Sequence, residues 1–290
     1  MQTLFYSILH FLTDGACAFA MFARFESARD FYLQLLLYNF CAFALQFPLG
    51  ALMDLLKMKQ QEGRIFQKAD LPLRLTLLSI AVTAAGMFTH PVVLGIGNAL
   101  FHVGGGIGTI EEDFRKGLKG QALGIFVAPG ALGLYLFSAL GSASPSWYIL
   151  ISVSLLVLML AVFIGLAYIV MIRKNAEQAA WKDAGYTAWK DGKAPFTFAA
   201  FTALAFCFLV VVLRSYAGMA VAFDWKHGFT AGLAAVLAVV LGKMAGGIIA
   251  ARAGMLPTIL GSLILSIVLF LFSGQMVCGV LALFFFNMTN

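Results

Sequence analysis

The sequence predicts an all-helical bundle of the polytopic membrane type, crossing a bilayer about ten times. Three observations carry this. Apolar runs of bilayer length recur from one end of the 290-residue chain to the other. Charged residues make up only 11% of the chain against 62% hydrophobic, where soluble domains carry about 25% charged residues. The basic residues gather in alternate short connections instead of spreading over a surface. A chain this poor in charge has no polar coat for a soluble fold. Its net charge of +6 therefore reads as an orientation signal, not as a nucleic-acid patch.

A helical crossing needs about 20 mainly apolar residues. Such runs fall at 3–23, 31–54, 73–90, 91–110, 118–141, 146–172, 196–222, 229–251, 255–273 and 275–290. They are too long and too uniformly apolar for the alternating strands of a barrel. The connection after the second run holds Lys57, Lys59, Arg64, Lys68 and Arg74. The one after the fourth holds Arg115, Lys116 and Lys119. The one after the sixth holds Arg173, Lys174, Lys182, Lys190 and Lys193, and Arg252 follows the eighth. The opposite connections hold only Arg24, Arg29 and Lys226. Basic loops stay on the cytoplasmic side, so the expectation is a multi-pass protein of the plasma or inner membrane with a cytoplasmic N-terminus.

The longest polar stretch is 173–195. Trp181 and Trp189 suit the headgroup level and the neighbouring lysines suit anionic lipid, so it reads as a linker on the membrane surface. It divides the chain into an N-terminal six-helix half, 1–172, and an incomplete C-terminal half of four helices, 196–290.

Few ionisable residues fall inside the runs. Each costs about 2.5–3.5 kcal/mol to insert unless it is paired or wetted. His10 and Asp14 are four apart and share one helix face. They point either to proton coupling or substrate contact, or to a mutually satisfied structural pair. His102 either lines a cavity or bonds a neighbouring carbonyl. Arg214 either pairs with an anionic substrate or snorkels outward. Lys243, near the end of its run, is expected to snorkel. Asn39 and Gln46 are expected to be hydrogen-bonding glue between helices.

The stretch "HVGGGIGTIEED" stands out. Gly104, Gly105, Gly106 and Gly108 let a helix approach a neighbour closely where no hydrophobic force drives association. Glu111, Glu112 and Asp113 read as a solvated helix end. Cys17, Cys41, Cys207 and Cys278 have no metal-ligand spacing and read as small core residues. There is no Walker A motif, so ATP is not expected as an energy source. No catalytic constellation is visible, so an enzyme is not expected, and neither a cofactor nor a metal.

Two octets sit at matching places after the second and eighth runs: "GALMDLLK" from Gly50 and "GIIAARAG" from Gly247. Together they suggest two halves of common origin. They resemble the cytoplasmic G-x-x-x-D-R-x-G loop of the major facilitator superfamily. The first keeps Gly50 and Asp54, with Leu55 for the arginine and Lys57 for the second glycine. The second keeps Gly247, Arg252 and Gly254, with Ala251 for the acid. "GIFVAPGALG" is similar to the span-5 Gly-Pro motif that the family links with antiport, here with Pro129 ahead of Gly130, and with Gly133 following. "GIGNALFH" is similar to span 4 of the family's fosmidomycin-resistance-like efflux branch, although the arginine usual in that span is replaced near Pro91.

The resemblance implies a twelve-span plan and secondary transport of a small solute by alternating access, with efflux in exchange for protons as the leading expectation. Uptake of an organic anion by symport is the alternative. A membrane-embedded enzyme acting through His10, Asp14 and His102, or a non-transporting scaffold, remains open. The implied partners are solute, protons and the lipid bilayer, with no nucleic acid, and a monomer is expected. Ten runs against twelve imply a C-terminally truncated product with an open flank. The last run fits this expectation, since a helix of about 24 Å at 1.5 Å per residue falls short of a hydrocarbon core of about 30 Å.

Overall fold

Helix is the one regular way to bury backbone amides in hydrocarbon without a closed barrel, and these runs take it. The computed structural model describes residues 1–61, 70–181, 202 and 223–289, and no strand occurs among them. The helices are α1 Gln2–Ala20, α2 Phe31–Ala44, α3 Gln46–Gln61, α4 Leu71–Phe88, α5 Pro91–Lys116, α6 Gln121–Ala143, α7 Tyr148–Trp181, α8 Gly228–Ala253, α9 Met255–Phe270 and α10 Met276–Asn287. Seven spans among the described residues are long and apolar enough to cross a membrane, α2 and α3 forming one of them. The chain is a multi-pass membrane protein. Two further apolar helices, α9 and α10, are shorter. The run expected at 196–222 lies outside the described residues, apart from Thr202.

Local sequence explains the boundaries. Pro48 lacks the N–H that would bond the carbonyl four residues back, and the second span turns at Leu45 between α2 and α3. The side-chain amide of Gln46 donates to the Ala42 carbonyl at 2.8 Å across that turn. Gln46 thus bonds along its own span, not across to another helix as expected. Asp70 caps α4 by accepting from the Leu73 N–H at 3.0 Å. His90 caps α5, with Pro91 as its first residue, a position where the missing N–H is harmless. Gly117 ends α5 in the left-handed region, at φ 63°, where glycine carries no Cβ penalty. α7 does not stop at residue 172. It continues to Trp181, because "RKNAEQAA" consists largely of strong helix formers. The linker therefore begins as helix. Trp189 and the rest of the linker lie outside the described residues.

α1 is the most buried span, and the α2–α3 span is the most exposed. α1 packs on α6 above all, and also on α4, α5 and α7. Tyr6, Leu9, Phe19, Phe101, Met159 and Leu166 fill the space around it. α8 packs against α6 on one side and against α9 and α10 on the other, so α6 and α8 form the seam between the N- and C-terminal parts.

One end of the bundle is a charged latch. Glu112 is 2% exposed, which overturns its reading as part of a solvated helix end. Its Oε2 accepts from the Thr3 N–H at 2.5 Å and the Thr3 hydroxyl at 2.6 Å. Its Oε1 meets Lys116 Nζ at 2.5 Å and the α-amino group at 3.6 Å. Asp113 accepts from the N–H groups of Gly120 and Ala122, both at 2.8 Å, and so caps the start of α6. Glu111 alone keeps a half-exposed position, paired with Lys57. Arg173 and Lys174 both reach Asp70 at 3.3 Å. The acids are buried because the starts of α1 and α6 bring unsatisfied N–H groups to them.

Candidate functional site

The α1–α6 contact builds the site. Gly130 removes the one side chain that would fill it: a Cβ there would stand 2.5 Å from both Asp14 Oδ2 and His10 Nε2. Pro129, one residue earlier, has no N–H for the Ile125 carbonyl. That carbonyl lies 3.2 Å from the Ser7 hydroxyl of α1. Gly133 lies against the backbone of α1 at Phe11 and Gly15. The "APGALG" stretch thus acts here by letting α1 and α6 close on each other around a polar pair.

Three of the sequence-predicted residues come together. His10 Nε2 lies 3.1 Å from Asp14 Oδ2 and 3.0 Å from His102 Nε2. His102 Nε2 lies 3.8 Å from Asp14 Oδ1. Both rings are held from behind. His10 Nδ1 meets the Phe126 carbonyl at 2.8 Å, and His102 Nδ1 meets the Asn98 carbonyl at 3.0 Å. A carbonyl only accepts, so each Nδ1 carries a hydrogen. Each Nε2 is then the lone-pair nitrogen of its ring. Two ring lone pairs and a carboxylate thus face one another at 3.0–3.8 Å, an arrangement able to take up a cation. The three ligand atoms also lie within 4.8 Å of one another, a spacing at which side chains share a metal ion.

Asn98 completes the cluster. It is 2% exposed, and its amide donates to Asp14 Oδ1 at 2.9 Å, fixing the carboxylate. Sequence reasoning passed over it. The signal was present, since Asn98 and His102 are spaced four apart on α5 as His10 and Asp14 are on α1. Phe126 stacks on His10, with ring centroids 4.8 Å apart, so one face of the ring is dry.

The cluster forms part of the wall of a cavity of about 480 Å³ among α1, α2, α3, α5 and α6, to which α8 contributes Lys243. Tyr38, Asn39 and Gln46 line it from the second span, Asn98 from α5, and Lys243 from α8. Lys243 therefore faces this cavity rather than serving only to snorkel, and Asn39 contributes polarity to it. A second cavity of about 310 Å³ shares Tyr38, Asn39, Ala131 and Leu134 with the first, and beyond them only Tyr135 and Ser138 are polar. Access to the cluster is from the His102 side. That side chain is 19% exposed, against 5% for His10 and 7% for Asp14.

No protein-family model and no curated protein matches the chain.

The remaining predicted residues lie apart from the cluster. Asp54 and Arg252 are exposed. Gly50 has open space where a Cβ would stand, whereas Gly247 packs on Gly120 and Gly124 of α6. The two octets thus differ in surroundings. Gly254 closes α8 at φ 94°. Arg214 lies outside the described residues. Cys17, Cys41 and Cys278 carry free thiols.

Proposed function

We propose that this chain is a secondary transporter of the major facilitator type, moving a small solute by alternating access in exchange for protons, in the direction of efflux. The observation that carries the reading is the buried His10–Asp14–His102 cluster opening onto a cavity lined by the N-terminal helices and by Lys243 of α8. A charged cluster inside a membrane protein is costly and is kept for function by default. Transporters of this plan place their sites near the midplane between halves. A cluster of three acceptors able to take up a proton suits coupling, because solute entry through the His102 side would compete with that proton.

In this reading the 196–222 run, α9 and α10 complete about ten crossings, six before the linker and four after it. The latch end faces the cytoplasm, since Lys57, Lys116, Arg173 and Lys174 gather there and basic residues stay inside. The protein works as a single chain in the cell membrane, without ATP and without catalysis. Lys243 in the cavity wall favours a second reading, symport of an organic anion, whose charge that lysine would meet.

Flux into proteoliposomes containing the purified chain, measured against a solute panel with and without an imposed pH gradient, tests both. Gradient-dependent exit of a solute supports exchange, and gradient-dependent entry of an organic anion supports symport. Leak-level flux of every solute under both conditions would remove the transporter reading.

A further inference from the structure

We propose that His10 Nε2, His102 Nε2 and a carboxylate oxygen of Asp14 form one face of a coordination site for a divalent first-row transition ion of the manganese-to-zinc series, which enters as the cargo or its exchange partner. The proposal deepens the transporter reading by naming an ion class for the same site.

Three features point to a metal. The first is donor spacing. Ligands about 2.1 Å from a common ion, set at right angles, stand about 3.0 Å apart. His10 Nε2 is 3.0 Å from His102 Nε2 and 3.1 Å from Asp14 Oδ2, and the third pair, His102 Nε2 and Asp14 Oδ1, stands wider at 3.8 Å, so two of the three pairs match that spacing. The second is the outer arrangement. Metal-binding histidines donate their other N–H to a carbonyl or carboxylate, which fixes the free lone pair. Both rings do this, to Phe126 and Asn98, and Asn98 also holds the Asp14 oxygen that faces away from His10. The third is donor chemistry. Two imidazoles and one carboxylate on one face, with other positions open, suit transition ions better than magnesium or calcium, which prefer oxygen ligands. The open positions face the cavity, where water or a carboxylate co-ligand fits beside the wall that carries Lys243. The ion binds through the Nε2 lone pairs, so any proton on those atoms leaves as it enters. No atom changes oxidation state.

The test uses the full chain, purified in detergent, with Co²⁺ as a visible-absorption probe. One equivalent of Co²⁺ should bind with ligand-field bands of nitrogen–oxygen coordination. Zn²⁺ should displace it and Mg²⁺ should not. His102→Gln, the least buried ligand, should weaken binding at least about tenfold, and Asn98→Ala should weaken it by about 10- to 100-fold by loosening the carboxylate. His227→Gln, exposed and distant in sequence, should leave it unchanged. Folding is followed for each variant by size-exclusion profile and circular dichroism. X-ray absorption of the Zn²⁺-loaded wild type, expected to show two imidazoles, decides the matter even if a variant misfolds. The absence of saturable Co²⁺ binding, a wild-type spectrum without two imidazoles, or affinity unchanged by His102→Gln would overturn the site. Proton-driven solute flux without metal binding would overturn this inference alone. Metal binding without flux of any solute or ion would leave the site standing and remove the transporter reading.

Discussion

His10 and His102 aim their Nε2 atoms at each other across 3.0 Å, and each ring has its Nδ1 engaged by a backbone carbonyl. Neither ring can turn its lone pair away without giving up that carbonyl. The pair thus sets two ring nitrogens facing each other between two helices that are 92 residues apart in sequence, with the Asp14 carboxylate beside them on the same helix as His10. A buried charge without its partner is strongly destabilising, so a cation taken up there and the carboxylate stand or fall together.

Asp14→Asn tests the balance. Asparagine keeps the shape and still accepts the hydrogen bond from Asn98, but it removes the negative charge. Without it a proton taken up by either ring has no counterion in a buried site. The expected outcome is loss of pH-gradient-driven flux at wild-type membrane levels. Unchanged gradient-driven flux at equal expression would return the cluster to a structural role.

The latch makes a second prediction, about stability. Glu112 is buried and accepts from Thr3 and Lys116. Glu111, one residue earlier, has a side chain 42% exposed in its ion pair with Lys57. Hydrogen bonds to a buried charge are worth about 1.5–3 kcal/mol, and an exposed pair about 0–1 kcal/mol. Thermal unfolding in detergent should show Glu112→Ala destabilised by about 2–3 kcal/mol and Glu111→Ala by under about 1 kcal/mol. Equal effects would mean that the burial of Glu112 is not what holds the start of α1.

This contrast also shows why part of the molecule was legible in the sequence and part was not. The helices were legible because hydropathy over about 20 residues has only one common solution in a bilayer. The His10–Asp14 pair was legible because four-residue spacing on one helix is a local property. The burial of Glu112 was not. It depends on Thr3, whose backbone N–H is 109 residues away in sequence, and nothing in "IEED" names that partner. Asn98 was missed for the same reason, since its role follows from the approach of α5 to α1. The turn at Leu45 and the extension of α7 were readable in principle, from Pro48 and from the helix formers after Arg173, but the apolar window dominated both boundaries.

Orientation supplies a third prediction. The proposed cytoplasmic N-terminus rests on the basic connections, and Lys68 and Lys190 belong to two of them. In a background without reactive native cysteines, Lys68→Cys and Lys190→Cys should react with an impermeant thiol reagent only in inverted vesicles or after lysis. Reaction of both from the outside of intact cells would reverse the orientation and remove the matched placement of the two octets.

The last prediction separates two glycines that the same family resemblance singles out. At Gly130 an added methyl would stand 2.5 Å from Asp14 Oδ2 and His10 Nε2, two groups fixed by their own hydrogen bonds. Forcing a methyl into a packed contact costs about 1–3 kcal/mol, and here it also pushes α6 off the cluster. At Gly50 nothing lies within 4 Å of the added methyl, and the residue sits within α3. There alanine should stabilise by about 0.4–1 kcal/mol, because it narrows the unfolded ensemble at a compatible site. Gly130→Ala should thus lower the unfolding midpoint and abolish gradient-driven flux together. Gly50→Ala should raise the midpoint slightly. Its flux then reports on this helical segment itself: a fall in flux at raised stability assigns Gly50 to the conformational change that the signature implies. Wild-type midpoint and flux in Gly130→Ala would show that α1 and α6 need not meet at the cluster, and the site built on their approach would not stand.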